Sequence, residues 1–146
     1  LPTERLVGQG CIYGLSPHHE KVYWQSYSAD IHDTELVEEF ALAYLNIHCG
    51  HCHNPEGAAD TSGLLLDGSH TLAVNLGVCK PPVAAGGGAG DLQYSIVPAA
   101  PEESILIYRM NSLAPDEMMP ELGRSLVHHE GIELLRHWIA TMPGGC

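Results

Sequence analysis

The stretch HCGHCHNPEG, residues 48–57, sets two thiols, Cys49 and Cys52, a spacer of two residues apart and places the imidazole of His53 directly after the second. Three chemistries use such a grouping. A thiol–disulfide exchanger needs its Cys-x-x-Cys at a helix N-terminus, where the dipole stabilises a thiolate. A structural zinc site needs four ligands, normally drawn from two close pairs. Covalent haem attachment joins each thiol to a vinyl group of the porphyrin and brings the following histidine to the iron.

The elements that deliver the motif separate these readings. Leu36, Val37, Phe40, Ala41, Tyr44, Ile47 and His48 recur at helical spacing. Asp33 or Thr34 can cap that helix, and Glu35 sits where the dipole favours a negative charge. The helix therefore runs into the motif, the reverse of the exchanger's order. Asn54-Pro55 then ends helical geometry, because a residue before proline avoids the α region. A zinc site would have to recruit Cys79 and a distant histidine, since no second close pair is present. The haem reading uses every residue of the motif: Cys49 and Cys52 as tethers and His53 as the proximal ligand. His48 and His51 are left as surface or packing residues.

A distal ligand has several candidates. Met110 and Met142 fall in helical stretches, where a flexible thioether serves packing. Met118 and Met119 lie in LAPDEMMPELGR, a loop between prolines that can present a side chain across a flat macrocycle. Pro120 fixes the backbone beside Met119, which makes Met119 the first choice and Met118 the second. A plug that closes the pocket without ligating is the bland alternative for this pair. His128 and His129, at the start of the last helix, are rival ligands. Arg109 and Arg124 flank the loop. Either suits a haem propionate, or merely a surface pair with Asp116, Glu117 or Glu121.

The remaining chain reads as a frame for these groups. Residues 1–32 form an arm without sustained periodicity, whose Tyr13, Tyr23, Trp24 and Tyr27 suit packing on the body. Residues 57–100 are a long irregular segment, with a hairpin expected in LLLDGSHTLAVNL, a flexible turn in KPPVAAGGGAGD and extended chain in QYSIVPAAP. A second helix is expected from Pro101 through SILIYRMNSL. A third covers 128–142, with Ile132, Leu135, Trp138, Ile139 and Met142 as its buried stripe. At 146 residues the chain can bury a real core, and no apolar run reaches membrane-spanning length. The net charge of −12 disfavours nucleic acid and anionic membranes and favours a basic partner. Leu1 in place of an initiator methionine reads as a processed chain or a piece of a longer one.

With Cys49, Cys52, His53 and the MMP loop in hand, the chain resembles the monohaem cytochrome c family. More narrowly, it is similar to the C-terminal haem domains of a group of bacterial cytochrome-like proteins. The segments that carry this are YLNIHCGHCHNPEGAADTSGL, GVCKPPVAAG, YSIVPAAPEESILIYRM and MMPELGRSLVHHEGIELLRHWI, covering most of residues 43–139. The resemblance implies a mainly α, class I cytochrome c-like domain over 33–146, whose first and last helices cross with Phe40 and Tyr44 against Leu135 and Trp138. It also implies one covalent haem c, Met119 as distal ligand, and a Cys79–Cys146 disulfide. Cys11–Cys79 remains the alternative pairing, since connectivity does not follow from sequence. The expected role is electron transfer to a redox protein partner in the periplasm or outside the cell, as an electron carrier and not an enzyme. The rivals are an electron-accepting domain of a larger dehydrogenase, a gas-binding or peroxidase-like protein with an open distal site, and a polymer-forming haem protein.

Overall fold

The computed structural model describes residues 33–70, 72–83 and 85–146. The expected arm at 1–32, its aromatics and Cys11 lie outside the described residues. Four helices and no extended strand make the described chain mainly helical: α1 (Thr34–His48), α2 (Ala73–Leu76), α3 (Ile105–Asn111) and α4 (His129–Thr141).

Helix α1 starts where its cap chemistry says it should. The Asp33 carboxylate accepts from the N–H groups of Glu35 and Leu36, satisfying two of the orphan donors of the first turn. Its buried side chains are Val37, Ala41, Tyr44 and Leu45, while Ile47 is exposed. The expected stripe was thus rotated slightly, because the spacing 37, 41, 44, 45 defines a narrower face than the apolar residues alone suggest. Helix α4 buries Ile132, Leu134, Leu135, Trp138 and Ile139, and Met142 ends up just past its C-terminus.

The contact between α1 and α4 is the most extensive between helices. It places Val37, Ala41, Tyr44 and Leu45 in one core cluster with Leu134, Leu135, Trp138 and Ile139, and Phe40 packs on its edge. Gly131 is what lets the two helices approach. A Cβ there would lie 2.4 Å from the Tyr44 ring, so no larger residue fits without moving the aromatic.

The middle of the chain departs from expectation in two places. A helical turn, α2, stands where a hairpin was expected, and isolated bridges Val78–Ile96 and Tyr94–Ser104 replace strand pairing. The helix expected to run unbroken from Pro101 divides into a 3-10 turn, Pro101–Glu103, and α3. Ser104 is the cause. It is fully buried and extended, its hydroxyl donates to the Ala100 carbonyl and accepts from the Val97 N–H, and its backbone bridges Tyr94. A serine that can satisfy the backbone locally competes with helix formation. The sulfurs of Cys79 and Cys146 stand 2.14 Å apart, which ties the irregular segment to the C-terminus. Closing a loop of that length stabilises a fold by about 4 kcal/mol in the chain-entropy account.

Candidate functional site

The motif occupies a tight turn after α1. Cys49 caps the helix, and the N–H groups of Cys52 and His53 both donate to its carbonyl. Asn54 braces the turn, its amide donating to the carbonyls of Gly50 and His51 while its side-chain oxygen accepts from the Glu56 N–H. Gly50 is required by a close approach: a Cβ there would meet the Asp67 Cα at 2.7 Å and the Leu66 carbonyl at 2.9 Å.

His53 is held by Ser62. Its Nδ1 lies 3.1 Å from the Ser62 Oγ, and that hydroxyl lies 2.7 Å from the Ala59 carbonyl. A carbonyl only accepts, so the single hydroxyl proton goes to Ala59. Towards His53 the oxygen must then accept. We therefore assign the imidazole proton to Nδ1, which leaves the lone pair on Nε2. Burial, followed by the Arg109 charge, lowers the His53 pKa, so the ring is neutral as a metal ligand must be.

A cavity of about 490 Å³ opens beside this imidazole, within the range of small-molecule and cofactor sites. Cys49, His53, Arg109 and Met119 all line it, brought from the motif, α3 and the proline-bracketed loop. Its remaining wall is largely apolar, with Leu45, Leu66, Ile96 and Ile105 among the contributors. Asp116 and Glu121 add negative charge. Cys52, Met118 and Arg124 lie outside the wall.

Met119 is fixed through its backbone: its N–H donates to the Arg109 carbonyl, and the Met119–Pro120 peptide is cis. Of the rival ligands, His128 is engaged at its Nδ1 by the Tyr44 hydroxyl at 3.0 Å, and neither it nor His129 lines the cavity. His48 does line it, its ring tilted by 40° against Tyr44 with centroids 4.4 Å apart.

The two flanking arginines differ. Arg109 is largely buried at the cavity, donates through Nε to the Glu117 carbonyl, and has its Nη2 3.9 Å from Glu121. Its guanidinium lies against Gly88, where a Cβ would come within 2.9 Å of Cζ. Arg124 instead donates to the carbonyls of Met110, Met119 and Ser112. Those bonds, and its place outside the wall, make Arg109 the arginine with access to a bound group.

The alternative chemistries meet specific obstacles. Burial, with Cys52 beside it, pushes the Cys49 thiol up to about 12, opposite to the activated thiolate of an exchanger. Cys79, the thiol a zinc site would need, is joined to Cys146. Among the described residues no group of three or more His, Cys, Asp or Glu is clustered for a metal ion, and no helix is long and apolar enough to cross a membrane. No protein-family model, curated protein or solved structure matches the chain.

One consequence concerns acidity. Burial also lowers the pKa of His48, with His128 and His51 adding repulsion. A histidine whose folded pKa is depressed binds protons more readily when unfolded, so its contribution is full above about 6.5 and is lost as pH falls below that value. The polypeptide should therefore show a urea midpoint that declines on acidification from pH 7 towards pH 5. A midpoint flat across that range would show that His48 and His53 titrate alike in both states.

Proposed function

We propose that the chain carries one covalently attached haem c and transfers single electrons, with His53 and Met119 as axial ligands. The observation that carries this reading is the shared cavity: Cys49, His53 and Met119 border one apolar space of cofactor size. When bound, haem c supplies a one-electron ferric–ferrous couple.

The chain's own residues then have distinct tasks. Cys49 and Cys52 hold the macrocycle's edge. His53 offers Nε2 to the metal because Ser62 occupies Nδ1. Met119 offers a soft thioether, which favours the reduced state and raises the potential. Arg109, which lines the cavity, would receive a propionate. The apolar wall excludes water, and the acidic chain suits a basic redox partner. Thioether attachment and the Cys79–Cys146 pair both fit an oxidising compartment, so we place the protein in the periplasm or outside the cell, as a carrier and not an enzyme.

Extraction with acidic organic solvent tests the foundation: the pigment should stay with the polypeptide, and free pigment in the solvent would defeat the reading. The oxidised protein should also show the weak near-infrared band of methionine-to-iron coordination.

Ser62→Ala tests the proximal side. It leaves the His53 N–H without its acceptor, at a cost of about 1–3 kcal/mol. It also removes the contact that raises imidazole basicity, so the reduction potential should rise. Spectroelectrochemistry would measure it; an unchanged potential would mean that Ser62 only packs.

A further inference from the structure

Arg124 is a partly buried guanidinium that neither lines the cavity nor forms an ion pair among the described residues. Its work is elsewhere. Nη1 donates to the Met110 carbonyl at 2.7 Å and to the Met119 carbonyl at 2.9 Å, and Nη2 donates to the Ser112 carbonyl. Met110 and Ser112 stand at the C-terminal end of α3, where carbonyls lack helical partners and a cation is favoured. One planar fork therefore joins the end of α3 to the carbonyl of Met119 itself.

The second tie is the Met119 N–H, which donates to the Arg109 carbonyl at 3.1 Å. Both backbone polar groups of Met119 are thus anchored to α3, and only the carbonyl anchor runs through a side chain. Helix α3 in turn supplies Ile105, Leu106, Arg109 and Met110 to the cavity. These two bonds, with the Arg109 Nε bond to the Glu117 carbonyl, tie Met119 to that wall.

We propose that Arg124 is the positioning residue of the distal ligand: its guanidinium locks the 112–120 loop against α3 so that the Met119 sulfur is held at the iron. This rests on the reading of Met119 as axial ligand. Arginine is needed because three carbonyls are served at once by a rigid fork; an ammonium is a point charge on a flexible stem and cannot span them.

A ligand that competes for the distal position reports how often Met119 has left it, because apparent affinity scales with the open fraction. The experiment titrates imidazole into the ferric haem protein and records the near-infrared band. Arg124→Met should bind imidazole on the order of 10–100-fold more tightly than wild type, with a weakened or absent band, and Arg124→Lys should fall between them. Arg136→Met is the control: it breaks the Arg136–Glu102 pair, which involves no residue of the loop, and should lower stability without changing imidazole affinity. Should Arg124→Met fail to fold, Arg124→Lys, which keeps charge and most packing, decides the matter. Imidazole affinity and band unchanged in the folded variants overturn the proposal while leaving methionine ligation intact. A wild-type protein without the band overturns the ligand assignment first, and this proposal with it.

Discussion

Met119→Ala will abolish the near-infrared methionine band and lower the reduction potential by on the order of 100 mV, a modest part of the ~0.8 V that axial ligation spans. The direction follows from chemistry. A thioether donates weakly to ferric iron and well to ferrous, so its loss favours the oxidised state. Met118→Ala is the matched control. Met118 is its neighbour in sequence, but its side chain does not line the cavity, and its N–H is spent on the Ala114 carbonyl. Its replacement should leave both band and potential within error. Equal losses from the two substitutions would mean that the MMP pair plugs the pocket without ligating.

Met119, preferred over Met118 in the sequence on the proline beside it, is the member of the pair that borders the cavity, a restriction visible in the sequence. The N-terminus of α1 was legible for a similar reason: an aspartate before a periodic apolar run has a specific bond to make, and Asp33 makes it. Both features are local.

What stayed hidden depends on partners distant in sequence or on local competition. Arg124 read as a propionate partner or a surface ion pair, because a lone arginine near a loop carries no mark of the carbonyls it serves, and those lie up to fourteen residues away. Ser62 was a silent residue in AADTSGL, and only the folding back of the Asp60–Ser62 turn brings its hydroxyl to His53. A serine nine residues after the histidine of such a motif is a signal that could be sought, though not one that composition reveals. Ser104 broke an apparently continuous helix because its hydroxyl and backbone found better partners in 94–100. Propensity favoured helix there, and burial of a polar group with all its bonds satisfied outweighed it.

Gly131→Val will damage the fold strongly, costing about 3 kcal/mol or slightly more at the upper end of overpacking penalties. The added atoms would meet the Tyr44 ring within 2.5 Å, and that ring cannot turn aside: it is buried, and its hydroxyl is bonded to His128. Gly131→Ala poses a sharper contest. Helix propensity favours alanine over glycine by about 1 kcal/mol inside a helix, whereas the clash opposes it by about 1–3 kcal/mol. The clash should win, giving a net loss of up to about 2 kcal/mol in urea unfolding. The sign should reverse once the obstacle is removed. In a Tyr44→Ala background the same Gly131→Ala change should stabilise by up to about 1 kcal/mol, because only the propensity gain remains. A Gly131→Ala effect of the same sign in both backgrounds would show that the helix crossing is not set by this contact. Since Tyr44 also borders the cavity beside His48, the Gly131 variants should disturb the spectrum of the proposed haem as well as the stability, which ties the helix crossing to the site it frames.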